Sequence, residues 1–451
     1  MSHESTNHDE ASNLPWRLRC ISCERAYGGL EVRYRCDCGD LLAVEHLFVH
    51  ERIAGAMRRA REQTGLPVRT PNELFDARRL LKSNIDRSGV WRFRELIVPL
   101  DDEFIVTKPE GNTNLYVSRS ISDWTGVGCL TIKHEGENPT GSFKDRGMTA
   151  GISVARALGM RAVACASTGN TSAAMASYAS QAGMRGFVFI PSGKIAYGKL
   201  AQSLAYGATT IQIDGDFDDA MRLVQQVCDT RGIYLLNSAN PFRIEGQKAI
   251  GFELLQDLDW HVPDWVILPG GNLGNSSALH KGLVELRALG LIDKLPRIAV
   301  IQAQGANPLA RWFSHRGAFE PLVGAETLAT AIRIGSPVSF KKCIAGIEET
   351  HGFVTDVTDA EILEAKAVVD ASGIGAEPAS CASIAGLRKL VESGIIDPNA
   401  SVAAILTGHV LKDPDTVVHY HRDSNLDEAP RANRPRKAPA TLDGVLEAMG
   451  I

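Results

Sequence analysis

A run of nine residues, Asn138-Pro139-Thr140-Gly141-Ser142-Phe143-Lys144-Asp145-Arg146, sets a lysine where it could attack a carbonyl carbon. A lysine that forms an imine must lose its proton and be held still. Gly141 allows a turn with close backbone approach, and Phe143 can help to desolvate the ammonium and lower its pKa. Lys144 is thus a candidate nucleophile, although a lysine between Ser and Asp neighbours is also the pattern of a solvated surface residue.

Four further motifs carry polar or anion-binding chemistry. Ala166-Ser167-Thr168-Gly169-Asn170-Thr171-Ser172 follows an apolar run and opens an Ala-rich one. Free N–H groups at such a helix start form an anion site, and Thr168 or Asn170 could equally be a simple cap. Pro269-Gly270-Gly271-Asn272-Leu273-Gly274-Asn275-Ser276 places three glycines within five positions, so the main chain can fold closely around a phosphate. It lacks the Gly-Lys-Ser/Thr ending of a nucleotide P-loop and is not G-x-G-x-x-G. Leu406-Thr407-Gly408-His409 ends a strand in a hydroxyl residue and a glycine, which suits a side chain aimed at a ligand; a lone histidine such as His409 is more often structural. In Asn237 to Lys248, Arg243 could clamp a phosphate with two N–H groups or pair Glu245 or another surface carboxylate.

The elements that must hold these motifs alternate in type. Arg161–Ala166, Gly186–Ile190, Thr209–Ile213 and Gly232–Leu236 read as strands. Between them, Thr171–Ala182 and Asp216–Arg231 read as helices, the latter with Phe217, Ala220, Val224 and Val227 on one face. A second series has strands at Trp265–Leu268, Arg297–Ile301 and Val402–Leu406, with a helix from about Ser277. Such β-α-β-α order predicts parallel sheets covered by helices, with ligand loops at the carboxyl ends of the strands. Arg431 to Pro439 reads as a linker and Leu442 to Met449 as a short terminal helix.

Composition excludes several classes. With 44% hydrophobic and 22% charged residues the chain is globular, and at 451 residues it is long enough for two to three domains. A net charge of −5 gives no argument for a nucleic-acid or anionic-membrane partner, no apolar run is long enough to span a bilayer, and the polar start Met1-Ser2-His3-Glu4 lacks signal-peptide features. A cytoplasmic location is expected. Five of the nine cysteines, Cys129, Cys165, Cys228, Cys343 and Cys381, read as buried reduced thiols. The other four form Cys20-x2-Cys23, twelve residues, Cys36-x-Cys38, similar to a zinc ribbon with one knuckle a residue short. They are candidate ligands of a structural zinc ion, or four reduced cysteines of a small β module.

Taken together and in this order, the motifs resemble threonine synthase, a fold type II pyridoxal phosphate enzyme of the tryptophan synthase β-like architecture. The resemblance runs from Glu110-Gly111-Asn112-Thr113-Asn114-Leu115 to Leu411-Lys412. Thr327 to Val338, Trp260 to Asn275 and the Cys-containing module bring it nearest the plant-type branch. It implies a fold of two α/β domains with parallel sheets plus the N-terminal module. Residues 1–15 would be a disordered tail, 16–75 the ribbon-like module and linker, 76–150 with 236–430 the large cofactor-binding domain, 151–235 the small domain, and 431–451 a C-terminal tail.

The resemblance also assigns roles. Lys144 would hold pyridoxal 5'-phosphate in an imine bond and shuttle protons. Asn170 would hydrogen-bond the phenolic oxygen of the cofactor. Gly271, Asn272, Leu273, Gly274 and Asn275 would cradle its phosphate, and Thr407 would face its pyridine nitrogen. Thr171, Ser238 and Arg243 would receive the phosphate of the substrate, O-phospho-L-homoserine, which the family converts with water to L-threonine and phosphate. A homodimer is the family habit. Threonine and serine dehydratases and phosphoserine-dependent synthases share the lysine and the Gly-rich loop, but do not generally combine the Lys144 run with Asn240-Pro241-Phe242-Arg243-Ile244-Glu245-Gly246-Gln247-Lys248. A non-catalytic cofactor-binding protein of the same fold is a further alternative, against which the joint presence of Lys144, Asn170 and Thr407 argues.

Overall fold

The computed structural model describes residues 14–192, 197–425 and 429–451, so most of the tail expected over 1–15 lies outside the described residues. In chain order the strands are β1 (Trp16–Cys20), β2 (Ala26–Tyr27), β3 (Leu42–His46), β4 (Leu115–Tyr116), β5 (Cys129–His134), β6 (Ala162–Ala166), β7 (Arg185–Pro191), β8 (Thr209–Ile213), β9 (Tyr234–Leu235), β10 (Trp265–Pro269), β11 (Arg297–Ala303), β12 (Phe353–Val357) and β13 (Ser401–Leu406).

They form three sheets. A small antiparallel one has the order β2-β1-β3, a four-stranded one β8-β7-β6-β9, and a six-stranded one β12-β11-β10-β13-β5-β4. The four-stranded sheet is parallel, and the six-stranded sheet is parallel except where β4 pairs with β5. β10 is buried at every position, as an unbroken apolar run must be when helices cover both faces of its sheet. The strand expected over Gly232–Leu236 shrinks to two residues because Gly232 adopts φ 62° and ends the preceding helix. In that helix Ala220 and Val224 are buried as expected, but Phe217, in its first turn, is exposed. Cys129, expected to be buried, starts β5 at the surface, whereas Cys165, Cys228, Cys343 and Cys381 are buried.

The helix Pro241–Asp257 is buried around nearly its whole circumference, packing on helices Lys144–Ala157 and Gly274–Ala288. Its crossing with Lys144–Ala157 is too close for side chains. A Cβ on Gly246 would lie 1.9 Å from the Arg146 carbonyl, and one on Gly147 2.8 Å from Gln247 Nε2. The burial carries charge with it. Arg146, Arg92 and Lys133 converge on Glu253 at 2.8, 2.9 and 2.7 Å, and Arg146 also pairs with Glu135 at 2.6 Å. Buried ions are tolerable only when paired and hydrogen-bonded, so this cluster locks the start of the Lys144 helix to the helix it crosses. The Glu110–Leu115 motif joins the same lock, with Asn112 N and Thr113 N donating to Glu253.

Candidate active site

Lys144 is the first residue of its helix, placed by a loop that is stitched to the end of β13. Gly141 turns with φ 84°, Phe143 N donates to Thr407 O at 3.0 Å, and His409 N donates to Gly141 O at 2.9 Å. Asp145 closes the loop from below, accepting from Thr140 N and Thr140 Oγ1 at 2.6 Å each; burial pushes its carboxyl up to about 7. Lys144 Nζ lies 3.8 Å from the Phe143 ring centroid. Burial first, and then the charge of Arg243, lower the Lys144 pKa from 10.5 to about 7, against an opposing pull from Glu377. A drop of that size raises the neutral fraction at pH 7 from about one in 3,000 to about one in two. The run that composition alone could read as solvated surface is interior, apart from an exposed Pro139 and partial exposure at Gly141 and Lys144 itself.

The other motifs lie at neighbouring strand ends. After β6, Gly169 starts the helix Asn170–Gln181 without a side-chain cap, so neither Thr168 nor Asn170 serves as one. Asn170 instead reaches across to Glu377, its Nδ2 donating to both carboxylate oxygens at 3.2 and 3.1 Å. Thr171 follows it in the first turn. After β10 the helix begins at Gly274, three residues earlier than expected, because Leu273 takes φ 60° and serves as the N-cap. The main-chain N–H groups of Gly274, Asn275 and Ser276 therefore belong to the first turn, which has no acceptors within the helix. Asn272 leans outward, donating to Ser238 Oγ at 2.7 Å and accepting from Val338 N at 2.7 Å. Asn275 is buried, and neither atom of its amide has a partner among the described residues. Thr407 is tied by its hydroxyl to Ser380 Oγ at 2.9 Å. His409 is structural, its Nδ1 accepting from Leu411 N at 3.2 Å.

Arg243 is 3% exposed in the first turn of Pro241–Asp257. One of its nitrogens donates to Leu236 O at 3.1 Å, its Nε has no partner, and no carboxylate pairs with it among the described residues. Glu245, the alternative partner, is taken by His46, Lys248 and Lys281. Burial alone brings the Arg243 pKa down to about 10, which leaves it charged at neutral pH. A buried, unmatched guanidinium is costly and calls for an anion.

These features fit a phosphate-bearing cofactor: a half-neutral lysine, a helix start with open N–H groups, and an orphaned buried amide at Asn275 beside it. The family of pyridoxal-phosphate dependent enzymes matches residues 106–408. A threonine synthase of Methanocaldococcus jannaschii is 46% identical over 89% of this chain and 94% of its own. The chloroplastic threonine synthase 2 of Arabidopsis thaliana is 36% identical over 99% of this chain and 89% of its own.

The chain belongs to the threonine synthases of this family.

Solved structures share the fold of this pyridoxal-phosphate dependent enzyme. A processed threonine deaminase isoform 2 of Solanum lycopersicum superposes with a TM-score of 0.59, at 22% identity, over 68% of this chain and 87% of that one. Maize serine racemase does so at 0.58 and 21% identity, over 73% and 94%. At such identity they carry the architecture only.

Two residues near the site escaped the reading of the sequence. Lys412 donates to Thr140 O at 3.0 Å and to Gln202, joining the loop after β13 to a helix beside the four-stranded sheet. Glu377, buried at the start of the helix Pro378–Glu392, has its carboxyl pushed upward by burial. The only local signal was Glu-Pro at a helix start, which reads as an ordinary beginning.

Proposed function

We infer that the chain converts O-phospho-L-homoserine and water to L-threonine and phosphate, with pyridoxal 5'-phosphate as its cofactor. The observation that carries the substrate assignment is Arg243, a buried cation with no carboxylate partner among the described residues, whose charge lowers the Lys144 pKa. It supports a second phosphate site in the same cleft, distinct from the helix start at Gly274.

When bound, the cofactor supplies an electron sink for protons lost next to the amino group. The residues of the chain do the rest. Lys144 Nζ, partly neutral at working pH, removes and returns protons at the α-, β- and γ-carbons of the substrate. Gly271, Asn272, Leu273, Gly274 and Asn275 hold the cofactor phosphate, chiefly through main-chain N–H groups. Asn170 donates to the phenolic oxygen. Thr407, fixed by Ser380, offers the pyridine nitrogen a neutral hydroxyl. Arg243, with Thr171 and Ser238, binds the phosphate that departs from the γ-carbon, and its charge favours that departure. The Asn272–Ser238 bond couples the two phosphate sites.

The test is stoichiometric. Purified enzyme incubated with O-phosphohomoserine should release phosphate and threonine in equal amounts; phosphate without threonine, or ammonia from serine or threonine instead, would move the chain to the dehydratases. We propose a cytoplasmic homodimer, which sedimentation should find at twice the chain mass.

Zinc is proposed for the N-terminal module. Cys20 and Cys38 Sγ lie 3.5 Å apart, Cys23 and Cys36 Sγ 3.4 Å, and all four sulfurs fall within 4.8 Å of one another. Four thiolates about 2.3 Å from a zinc ion stand about 3.8 Å from each other. The short second knuckle is accommodated by Gly39 at φ 88°, whose N–H donates to Cys36 O at 2.8 Å. Four protein ligands leave no open position, so the role is structural. Purified protein should hold one zinc per chain, and Cys38→Ser should lose it; full-length protein free of metal and equally stable would refute the assignment.

A further inference from the structure

Glu377 stands where a carboxylate usually accepts from the first turn of its own helix. Here it makes no such cap bond. Its side chain turns instead to the start of the helix after β6, where both oxygens accept from Asn170 Nδ2 at 3.2 and 3.1 Å, and only 5% of the residue is exposed. The turn is built into the opposing backbone. Glu377 N donates to Gly408 O at 3.0 Å, and a Cβ on Gly408 would lie 2.4 Å from Glu377 Oε1. Position 408 therefore holds glycine where the carboxylate passes. Lys412 and Lys144 bear on Glu377 with positive charge and Asp413 with negative.

A carboxylate can only accept, whereas the two ends of a carboxamide are nearly alike in shape and opposite in hydrogen-bonding sense. Facing Glu377, Asn170 must present its nitrogen. One N–H serves the carboxylate and the other remains to donate into the cleft. We propose that Glu377 is a positioning residue that fixes the Asn170 amide so that its remaining N–H donates to the phenolic oxygen of the bound cofactor. This rests on the cofactor site described above. It adds an acid to that site, at the start of the helix Pro378–Glu392, acting on the first residue of the helix that follows β6.

Glutamine in place of Glu377 has nearly the same shape but can donate as well as accept, so the amide of Asn170 is free to turn over. Apo-protein reconstituted with pyridoxal phosphate is followed by cofactor affinity and by the pH midpoint of the visible band. Glu377→Gln should weaken affinity by about three- to tenfold, the loss of one ordinary hydrogen bond, and displace the midpoint. The double variant Asn170→Ala/Glu377→Gln should match Asn170→Ala alone in affinity, because the positioning effect runs through the first residue, whereas the midpoint also carries the direct pull of the Glu377 charge on Lys144. Gly408→Ala, which moves the carboxylate without removing its charge, should reproduce the Glu377→Gln loss. An unchanged affinity in Glu377→Gln, or affinity losses that multiply in the double variant, would overturn the proposal. A wild type that forms no visible band would instead sink the cofactor reading itself, so the two failures are distinguishable.

Discussion

Replacing Arg243 by glutamine removes a charge that bears on Lys144 and leaves most of the volume in place. In the wild type, burial and then Arg243 bring the Lys144 pKa down to about 7. A unit charge nearby in a site of effective dielectric about 20 is worth about 1–2 kcal/mol, so Lys144 in the variant should titrate near about 8 while burial keeps it below 10.5. The sign follows from like charges: with the guanidinium gone, protonating Lys144 costs less. At pH 7 the neutral fraction then falls from about one half to about one tenth. Mixing apo-protein with pyridoxal phosphate and following the visible band should give capture about fivefold slower at pH 7, with the two proteins converging above about pH 9. Because the cofactor phosphate is assigned to the Gly274 helix start, the final band should be intact. A pH profile unchanged or moved toward acid would refute the electrostatic coupling, and loss of the band would place Arg243 on the cofactor phosphate instead.

Three other expectations follow from the buried charges. Lys144→Met should make the apo-protein more stable at pH 7 by about 2–4 kcal/mol in thermal or urea denaturation, since the folded state holds this lysine below its unfolded pKa. That advantage should be full below about pH 7 and shrink to nothing as pH rises toward 10.5, the range set by the folded and unfolded values. Glu253→Ala strands Arg92 and leaves Lys133 and Arg146 with one carboxylate each, Asp257 and Glu135, and should cost about 3–5 kcal/mol, read as a large fall in the denaturation midpoint. Arg243→Leu should raise the apo melting temperature, and added phosphate should stabilise the wild type more than this variant, which keeps the helix start at Gly274 but has lost the buried cation that needs an anion.

Much of the architecture could be read along the chain because its strands are short apolar runs bounded by turn residues. β8 falls over the expected residues, and β6, β7, β10, β11 and β13 differ by a residue or two at their ends. Helix starts were less legible where the cap is unusual. Leu273 at φ 60° begins the helix after β10 three residues early, and no propensity favours leucine in that conformation. The burial of the Lys144 run was not legible either, since Ser142, Lys144, Asp145 and Arg146, with Phe143 alone among them apolar, have the local composition of a surface.

The sequence by itself determined the order of the units, the lysine run, the Gly-rich turn and the family that joins them, because these rest on neighbours within a few residues. Only the tertiary structure decided what the charges do. Arg146 is paired by Glu135 and Glu253, whereas Arg243 is left without a carboxylate among the described residues. Glu377 lies 207 positions from Asn170 along the chain and meets it only because the fold brings the start of the helix Pro378–Glu392 against the start of the helix after β6. The Lys144 pKa depends on burial and on Arg243, 99 positions away in the sequence. Electrostatic energy depends on distance and on exclusion of water, and neither is defined until the chain has folded.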